Sequence, residues 1–484
     1  MRLEKRQAGI LLHPTSLPSE TESGVLGKEA YRFVDFLQQS GLSIWQLLPL
    51  GPTHGDKSPY QSLSAHAGNP DLICWDSVLN ENWIGNVELA SKSNTDITAL
   101  FYQQFISNCD SALLAEFEDF KRQQDFWLND YAMFVVGKQQ FEQKSWVEWP
   151  SPIRNRDQPA LDEFVTEFEE SIDQIKFQQY IFFKQWLGIK KYANEKGIQL
   201  FGDLPLFVAH DSADVWAKRE YFKLDGLGNP LFVAGVPPDY FSETGQLWGN
   251  PVYDWKSIAS DAYSFWVERL KTQLHLFDLV RIDHFRGLEA YWEIPADHET
   301  ALNGYWVKGP GEDFFAHLKH YFGKDLPLVA EDLGFITEEV LALREQFSLS
   351  GMKILQFAFD SDAANPYLPH NHETMSVVYT GTHDNDTTCG WFNSLNEDQK
   401  RRVYDYFGNP SVEMPWLLVQ AAFMSTANLA VIPLQDFLEL DSSHRMNIPG
   451  TPEGNWVWRF NWSDSNFDEL AVKIRAFVNL YGRL

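Results

Sequence analysis

Three acidic residues stand at the ends of three apolar runs: Asp283 in FDLVRIDHF, Glu331 in LPLVAEDLG and Asp384 in VVYTGTHDND. A carboxylate just past a buried strand leaves the sheet and faces substrate. Glycosidic bond chemistry needs two such groups, one to attack and one to move a proton, and a third can grip the sugar. Arg281 lies two residues before Asp283, so on a strand the two side chains share a face. A guanidinium there holds the carboxylate charged and oriented, as a nucleophile requires. Glu331 and Asp332 are adjacent, so on an extended chain they face opposite ways. Glu331 has the longer reach, and partial burial suits it to general acid work. Taken singly, each group reads more readily as structure: an Arg–Asp pair, a helix-capping Asp332 beside a surface Glu331, a polar turn or metal cluster around His383, Asp384 and Asp386. No second His/Asp group shows metal-ligand spacing, and the His370-x-His372 pair is too sparse.

Such groups need a scaffold that brings strand ends together. Eight apolar runs recur along the chain, at 8–13, 43–51, 198–206, 276–285, 326–334, 351–360, 376–384 and 427–436. Most are apolar at successive positions, as buried parallel strands require. Eight such units predict an α/β fold, a (β/α)8 TIM barrel spanning 1–484, with chemistry on the loops that follow the strands. The trio then follows strands four, five and seven. The 48 residues from Asp283 to Glu331 fit one strand–helix step, and the 53 from Glu331 to Asp384 two shorter ones.

Between the strands, Ile172, Ile175, Phe182, Trp186, Ile189 and Ala193 follow helical spacing, broken at Gln179, with Gly197 as the stop. A further helix spans 333–347, with Thr337 ahead of an acidic first turn. The long gap between runs two and three predicts a mostly helical insertion over 70–175, irregular near 149–160. A second insertion, 207–260, contains GVPPDYFSETGQLWGNP (235–251), too rich in Gly and Pro for regular structure and placed to cover the site as a lid loop.

Composition narrows the partners. Lys plus Arg is 39 and Asp plus Glu is 67, a net charge of −28, which argues against nucleic acid and anionic membrane surfaces. Aromatic residues reach 15%, including 18 Trp; much of this is core, and the excess mildly favours carbohydrate, whose ring faces stack on aromatic side chains. Cys74, Cys109 and Cys389 form no CxxC pair and are odd in number, as expected of a cytoplasmic protein. The N-terminus lacks a signal-peptide core, and no apolar run is long enough to span a membrane. No phosphate-binding or dinucleotide motif occurs, so no cofactor is expected, and the absence of a second His/Asp group at ligand spacing argues against a metal. A monomer or weak homo-oligomer is expected.

The stretches GILLHPTSLP, SPYQSLSAHAGNP, GDLPLFVAHDSADVW, AGVPPDYFSETGQLWGNPVYDW, RIDHFRGL, AEDLG, GTHDNDTT and RMNIPGTPEGNWVWR run from end to end of the chain. In them the sequence resembles the amylomaltases, the 4-α-glucanotransferases of glycoside hydrolase family 77, which include the plant disproportionating enzyme. The resemblance implies roles for particular residues. Asp283 matches the nucleophile, Glu331 the general acid/base and Asp384 the acid that holds the distorted donor sugar. Arg281 matches the residue that orients the nucleophile, His383 a sugar-binding histidine, Asp203 a substrate-binding acid and Tyr60 an aromatic platform. Tyr240, Phe241, Gln246 and Trp248 match a loop over the cleft, and Asn447 a signature beside it. One departure is His54, which stands where relatives often carry an aromatic residue in a remote glucan groove. The implied activity is retaining transfer of α-1,4-glucan segments to an acceptor glucan, with Asp283 and Glu331 roughly 5–5.5 Å apart. The rival readings are an α-amylase-like hydrolase with the same trio and a non-catalytic glucan-binding protein.

Overall fold

The structure is a computed structural model that describes residues 5–85, 93–238, 242–451 and 453–484. Its strands are, in chain order, β1 (Gln7–Leu11), β2 (Ile44–Gln46), β3 (Gln199–Pro205), β4 (Phe232–Val236), β5 (Gln246–Pro251), β6 (Leu279–Asp283), β7 (Ala290–Pro295), β8 (Tyr305–Lys308), β9 (Leu328–Ala330), β10 (Gly351–Ile354), β11 (Ser376–Tyr379) and β12 (Leu429–Pro433). Eight of them, one in each apolar run, form a parallel sheet in the order β10-β11-β12-β1-β2-β3-β6-β9. A parallel bridge between Val329 and Ser350 joins the two ends, and the Ala330 N–H donates to the Ser350 carbonyl at 2.8 Å. The sheet is the predicted (β/α)8 barrel.

Strand alternation sorts side chains into two cores. Leu11, Ile44, Phe201, Leu279, Val329, Met352, Ile354, Val377, Tyr379, Leu429 and Val431 pack together in the lumen. Their sequence neighbours Ile10, Trp45, Leu200, Val280, Val378 and Ile432 join the larger core shared with the surrounding helices. Parity therefore decides the site. Counting by two from lumen-facing Phe201 and Leu279 reaches Asp203, Arg281 and Asp283 at the strand C-termini, where the lumen opens.

The helix expected near 172–193 runs from Glu169 to Glu195. It ends where Gly197, at φ +76, turns left-handed and lets the Ile198 N–H reach the Ala193 carbonyl at 2.9 Å. Gln179, the residue that breaks its apolar face, is fully buried. Its amide accepts from the Gly68 N–H at 2.8 Å and donates to the Gly68 carbonyl at 2.9 Å. The helix expected over 333–347 is shorter, Glu338–Gln346, with Thr337 as its N-cap residue.

Three expectations need correction. Residues 149–160 are not irregular: short helices span Ser151–Arg154 and Gln158–Glu167, with Pro152 and Pro159 inside the first turn, where a missing N–H costs nothing. The segment 235–251 is partly regular too, because β4 and β5 pair antiparallel across it. They belong to a second sheet, ordered β5-β4-β7-β8. The 48 residues between Asp283 and Glu331 hold more than one strand–helix step: β7, β8 and the helix Gly311–Phe322 all lie there. Pairing between β4 and β7 joins segments about sixty residues apart, and it is invisible to any local pattern. Among the described residues, no helix is long and apolar enough to cross a membrane.

Candidate active site

The site is built on one buried guanidinium. Arg281 faces Asp203 across the β3–β6 register, and its Nη1 donates to both Asp203 oxygens at 2.8 and 2.7 Å. Its Nη2 lies 2.8 Å from Oδ1 of Asp283, two residues along the same face. Burial alone would lower the Arg281 pKa, but the Asp203 and Asp283 carboxylates hold it well above the ordinary value. The Tyr60 hydroxyl donates to Asp203 Oδ2 at 2.7 Å, which fixes its ring over the opening of the lumen. Asp203 is fully enclosed, whereas Asp283 keeps an open oxygen edge toward the cleft.

Glu331 follows β9 and turns toward the same opening. Its Oε2 accepts from the His284 N–H at 2.8 Å and its Oε1 from the Leu333 N–H at 3.1 Å. The first bond exists because His284 adopts φ +54, so the chain reverses immediately after Asp283 and aims that N–H at Glu331. A left-handed residue at this point is locally unfavourable and persists because surrounding packing imposes it. Burial pushes the Glu331 carboxyl up to about 7, against the pull of Arg281 and helped by the Asp283 charge. Asp332 faces the other way and is no helix cap. Its oxygens accept from Arg344 Nη1 at 2.6 Å and from the Met352 N–H at 2.7 Å, which ties the loop after β9 to β10.

Asp384, on the loop after β11, stands 3.2 Å from His383 Nε2 and accepts from Asn447 Nδ2 at 2.6 Å. Loss of hydration in the cleft wall would raise its pKa, but the His383 and Asn447 contacts hold it well below the usual carboxylate range. The His383 and Tyr60 rings stack with centroids 5.1 Å apart, inclined by 17°. On the opposite side, the Trp248 ring from β5 meets the His284 ring edge-on at 4.8 Å, and Trp248 Nε1 donates to Gln246 Oε1 at 3.1 Å. Burial pushes His284 down to about 4. Tyr240 and Phe241 lie outside the described residues. The structure thus brings Asp203, Arg281, Asp283, Glu331, Tyr60, His383, Asp384 and Asn447 around one opening, with Gln246 and Trp248 on its far wall.

Three participants had no role assigned from the sequence. Trp456, at φ +63, packs 6.0 Å from Tyr60 and 5.9 Å from His383, and its N–H donates to the Met446 carbonyl. Arg445 Nη2 donates to the Asp384 carbonyl at 3.0 Å, and its Nε to the Asn447 carbonyl. His13, just past β1, is buried and pushed down to about 3, first by burial and then by His383. Its position after a barrel strand, within GILLHPTSLP, was the available signal. His13 and Trp456 also line a cavity of about 1100 Å³ that extends away from the trio past Leu48, Pro59 and Trp75.

His370 and His372 form no ligand pair: His370 Nδ1 contacts the Tyr406 hydroxyl, and His372 Nδ1 contacts the Ser425 hydroxyl. No group of three or more potential metal ligands occurs among the described residues. The arrangement sets an open-edged carboxylate beside a carboxyl that burial keeps protonated near neutrality, the pairing used by acid-assisted displacement at an acetal carbon.

The chain matches a family model described as 4-alpha-glucanotransferase over residues 12–464. It is 47% identical to a 4-alpha-glucanotransferase of Thermus thermophilus, with 99% of each chain covered. It is 46% identical to one of Synechocystis sp. (strain ATCC 27184 / PCC 6803 / Kazusa), again covering 99% of each chain. Among solved structures it superposes on an amylomaltase from Streptococcus agalactiae in complex with acarbose, with a TM-score of 0.93 and 36% identity over 99% of this chain and 100% of that one.

Proposed function

This chain belongs to the 4-alpha-glucanotransferase family, and from that membership we propose how its residues move segments of α-1,4-glucan. Asp283 attacks the anomeric carbon of the donor while Glu331 protonates the departing glycosidic oxygen. The bond from carbon to that oxygen breaks, and a covalent glycosyl ester on Asp283 forms with inverted configuration. The shortened chain leaves with a free 4-hydroxyl at its non-reducing end. Glu331, now ionised, takes the proton from the 4-hydroxyl of an acceptor glucan. That oxygen displaces Asp283, and the second inversion restores the α linkage. Glu331 returns to its protonated form.

One observation carries this assignment: the two carboxyl groups stand in different surroundings. Arg281 lies against Asp283 at 2.8 Å, and burial raises Glu331 to about 7. An acid must hold its proton near neutrality, and burial gives that property to Glu331. Asp384, fixed by Asn447 and His383, binds hydroxyl groups of the donor sugar, and Tyr60 supplies the stacking face beneath it. Asp203 and Arg281 position the nucleophile. The segment with Tyr240, Phe241, Gln246 and Trp248 serves as a lid in the 207–260 insertion. By excluding water it lets sugar, rather than solvent, resolve the ester.

Incubation with maltotriose tests the reading. Glucose and longer maltooligosaccharides should appear while total reducing ends stay constant. A steady rise in reducing ends would mean that water is the acceptor, as in the α-amylase-like reading. Asp283→Asn should lose roughly 10⁴- to 10⁶-fold in rate, and full activity in that variant would remove Asp283 from the mechanism. A cytoplasmic enzyme, monomeric or weakly self-associating, accompanies this proposal. The three cysteines support the location, since all are free thiols.

A further inference from the structure

Asp386, the last acid of GTHDND, and Arg445, the first residue of RMNIPG, have no part in the mechanism above. Both lie beside residues that do. Asp384 and Asn447, whose side chains meet at 2.6 Å, stand on different loops. Asp384 follows β11, and Asn447 belongs to the segment 445–466, whose described residues form no helix or strand. The Asp384 side chain is half-exposed. A charged group on an open loop loses conformational freedom when it grips a sugar. That loss weakens binding unless the protein has fixed the group beforehand.

One guanidinium spans the two loops. Arg445 Nη2 donates to the Asp384 carbonyl and its Nε to the Asn447 carbonyl, each at 3.0 Å. These bonds tie together the two backbones whose side chains must meet. A guanidinium is planar and presents its donors at fixed angles, so it sets the spacing of two acceptors as a flexible ammonium cannot. Asp386 anchors its other edge. Asp386 Oδ2 lies 3.9 Å from Arg445 Nη1 and accepts from the Ser442 hydroxyl at 2.8 Å. Both side chains are largely buried, where such a pair is less screened than on open surface. Asp386 is itself held, because Gln356 Nε2, from the helical turn after β10, donates to its carbonyl at 2.8 Å. A Cβ at Gly390 would fall 2.1 Å from the Ser442 hydroxyl and 2.4 Å from Asp386 Oδ1, so glycine keeps the space in which that pair meets.

We propose that Arg445, anchored by Asp386, is a positioning residue for the donor sugar: it sets the separation of Asp384 and Asn447 and holds the Asp384 carboxylate in place before the sugar arrives. The pair acts through the Asn447–Asp384 bond, not by contact with the reacting atoms. The inference rests on the role given to Asp384 above.

A double-mutant cycle in the full chain tests it. The readout is kcat/KM for aryl release from an aryl maltoside with glucose as acceptor, which in a two-step transfer reports the first half-reaction alone. Arg445→Gln should lower this value roughly 10- to 50-fold, as loss of the Asn447 bond would. In the Asn447→Ala background the same substitution should cost less than about threefold, because the bond it supports is already gone. A residue that merely stabilised the fold would cost the same in both backgrounds. Arg445→Lys keeps the charge without the planar fork and should recover only part of the loss. Asp386→Asn should cost roughly three- to tenfold in the parent and almost nothing in the Arg445→Gln background. Where Arg445→Gln does not fold, the cycle of Asp386→Asn with Asn447→Ala carries the same test, and equal costs in its two backgrounds would overturn the proposal. Full activity in Arg445→Gln, or an undiminished cost in the Asn447→Ala background, would also overturn it. A parent that releases aryl yet transfers no sugar to glucose would overturn the transferase reading, while the cycle still decides the role of Arg445.

Discussion

Glu331→Gln should make the protein more stable at alkaline pH relative to its parent while removing its catalytic acid. In the native state burial keeps Glu331 protonated up to about 7, against 4.5 for an ordinary glutamate. At 1.36 kcal/mol per pH unit, that difference amounts to about 3 kcal/mol. In the unfolded chain the group ionises as pH rises past 4.5, while the native group still holds its proton. Its contribution is therefore fully present below about 4.5 and is lost as pH rises to about 7. Glutamine has no such proton. The stability gap between variant and parent should widen by about 3 kcal/mol across this window, in favour of the variant, and stay flat above it. A constant offset is also expected, because the His284 and Leu333 N–H groups both donate to Glu331 and a glutamine amide satisfies only one. The slope with pH, rather than the absolute difference, carries the inference. With about 2.1 cal/mol/K of unfolding entropy per residue, a chain of 484 residues unfolds with about 1 kcal/mol/K, so the widening amounts to about 3 °C in Tm. Thermal melts of both proteins at half-unit intervals from pH 4.5 to 8 would measure it. Tm curves that run parallel over that range would refute the claim that Glu331 is held neutral by burial. The same group should set the alkaline limb of aryl release in the parent near pH 7.

Asn447→Ala removes the 2.6 Å bond to the Asp384 carboxylate. A hydrogen bond to a charged group contributes about 1.5–3 kcal/mol, so kcat/KM should fall roughly 10- to 150-fold with little change in Tm; an unchanged kcat/KM would show that Asp384 needs no such support. Asp332→Asn, one residue from the acid, should act on stability instead, because it leaves the buried Arg344 guanidinium with Glu373 alone as a close carboxylate partner. A loss of about 1.5–3 kcal/mol, the weakening of one charge-assisted bond, is expected from chemical denaturation, with near-normal activity in the folded fraction. Gln179→Leu restores the apolar helix face but strands both polar groups of Gly68. It should destabilise by about 2–4 kcal/mol, and a neutral or stabilising result would mean that these bonds are replaceable.

Much of the site was legible in the sequence because it depends on spacing within single strands. Arg281 and Asp283 share a face by the two-residue period, and Glu331 and Asp332 divide between the cleft and the buried Arg344 by the same rule. The eight apolar runs announced the barrel because a parallel sheet buried on both faces leaves an uninterrupted apolar signature. The Gly- and Pro-rich segment around 235–251 misled for the converse reason. Its β4–β5 pairing lies on a sheet with exposed positions, where composition is loosely constrained and the partners come from distant β7 and β8.

By itself, then, the chain determined its eight barrel strands, the parity of its carboxyl groups and the end of the barrel on which they emerge, because these follow from local period and order. Only the tertiary structure decided which groups touch. The Asp203–Arg281 register, the left-handed turn at His284 that aims an N–H at Glu331, and the packing of Trp456 against Tyr60 and His383 join residues from different loops. The raised pKa of Glu331 belongs with them. It arises from the removal of water by surrounding elements, a property of the assembled cleft that no residue carries alone.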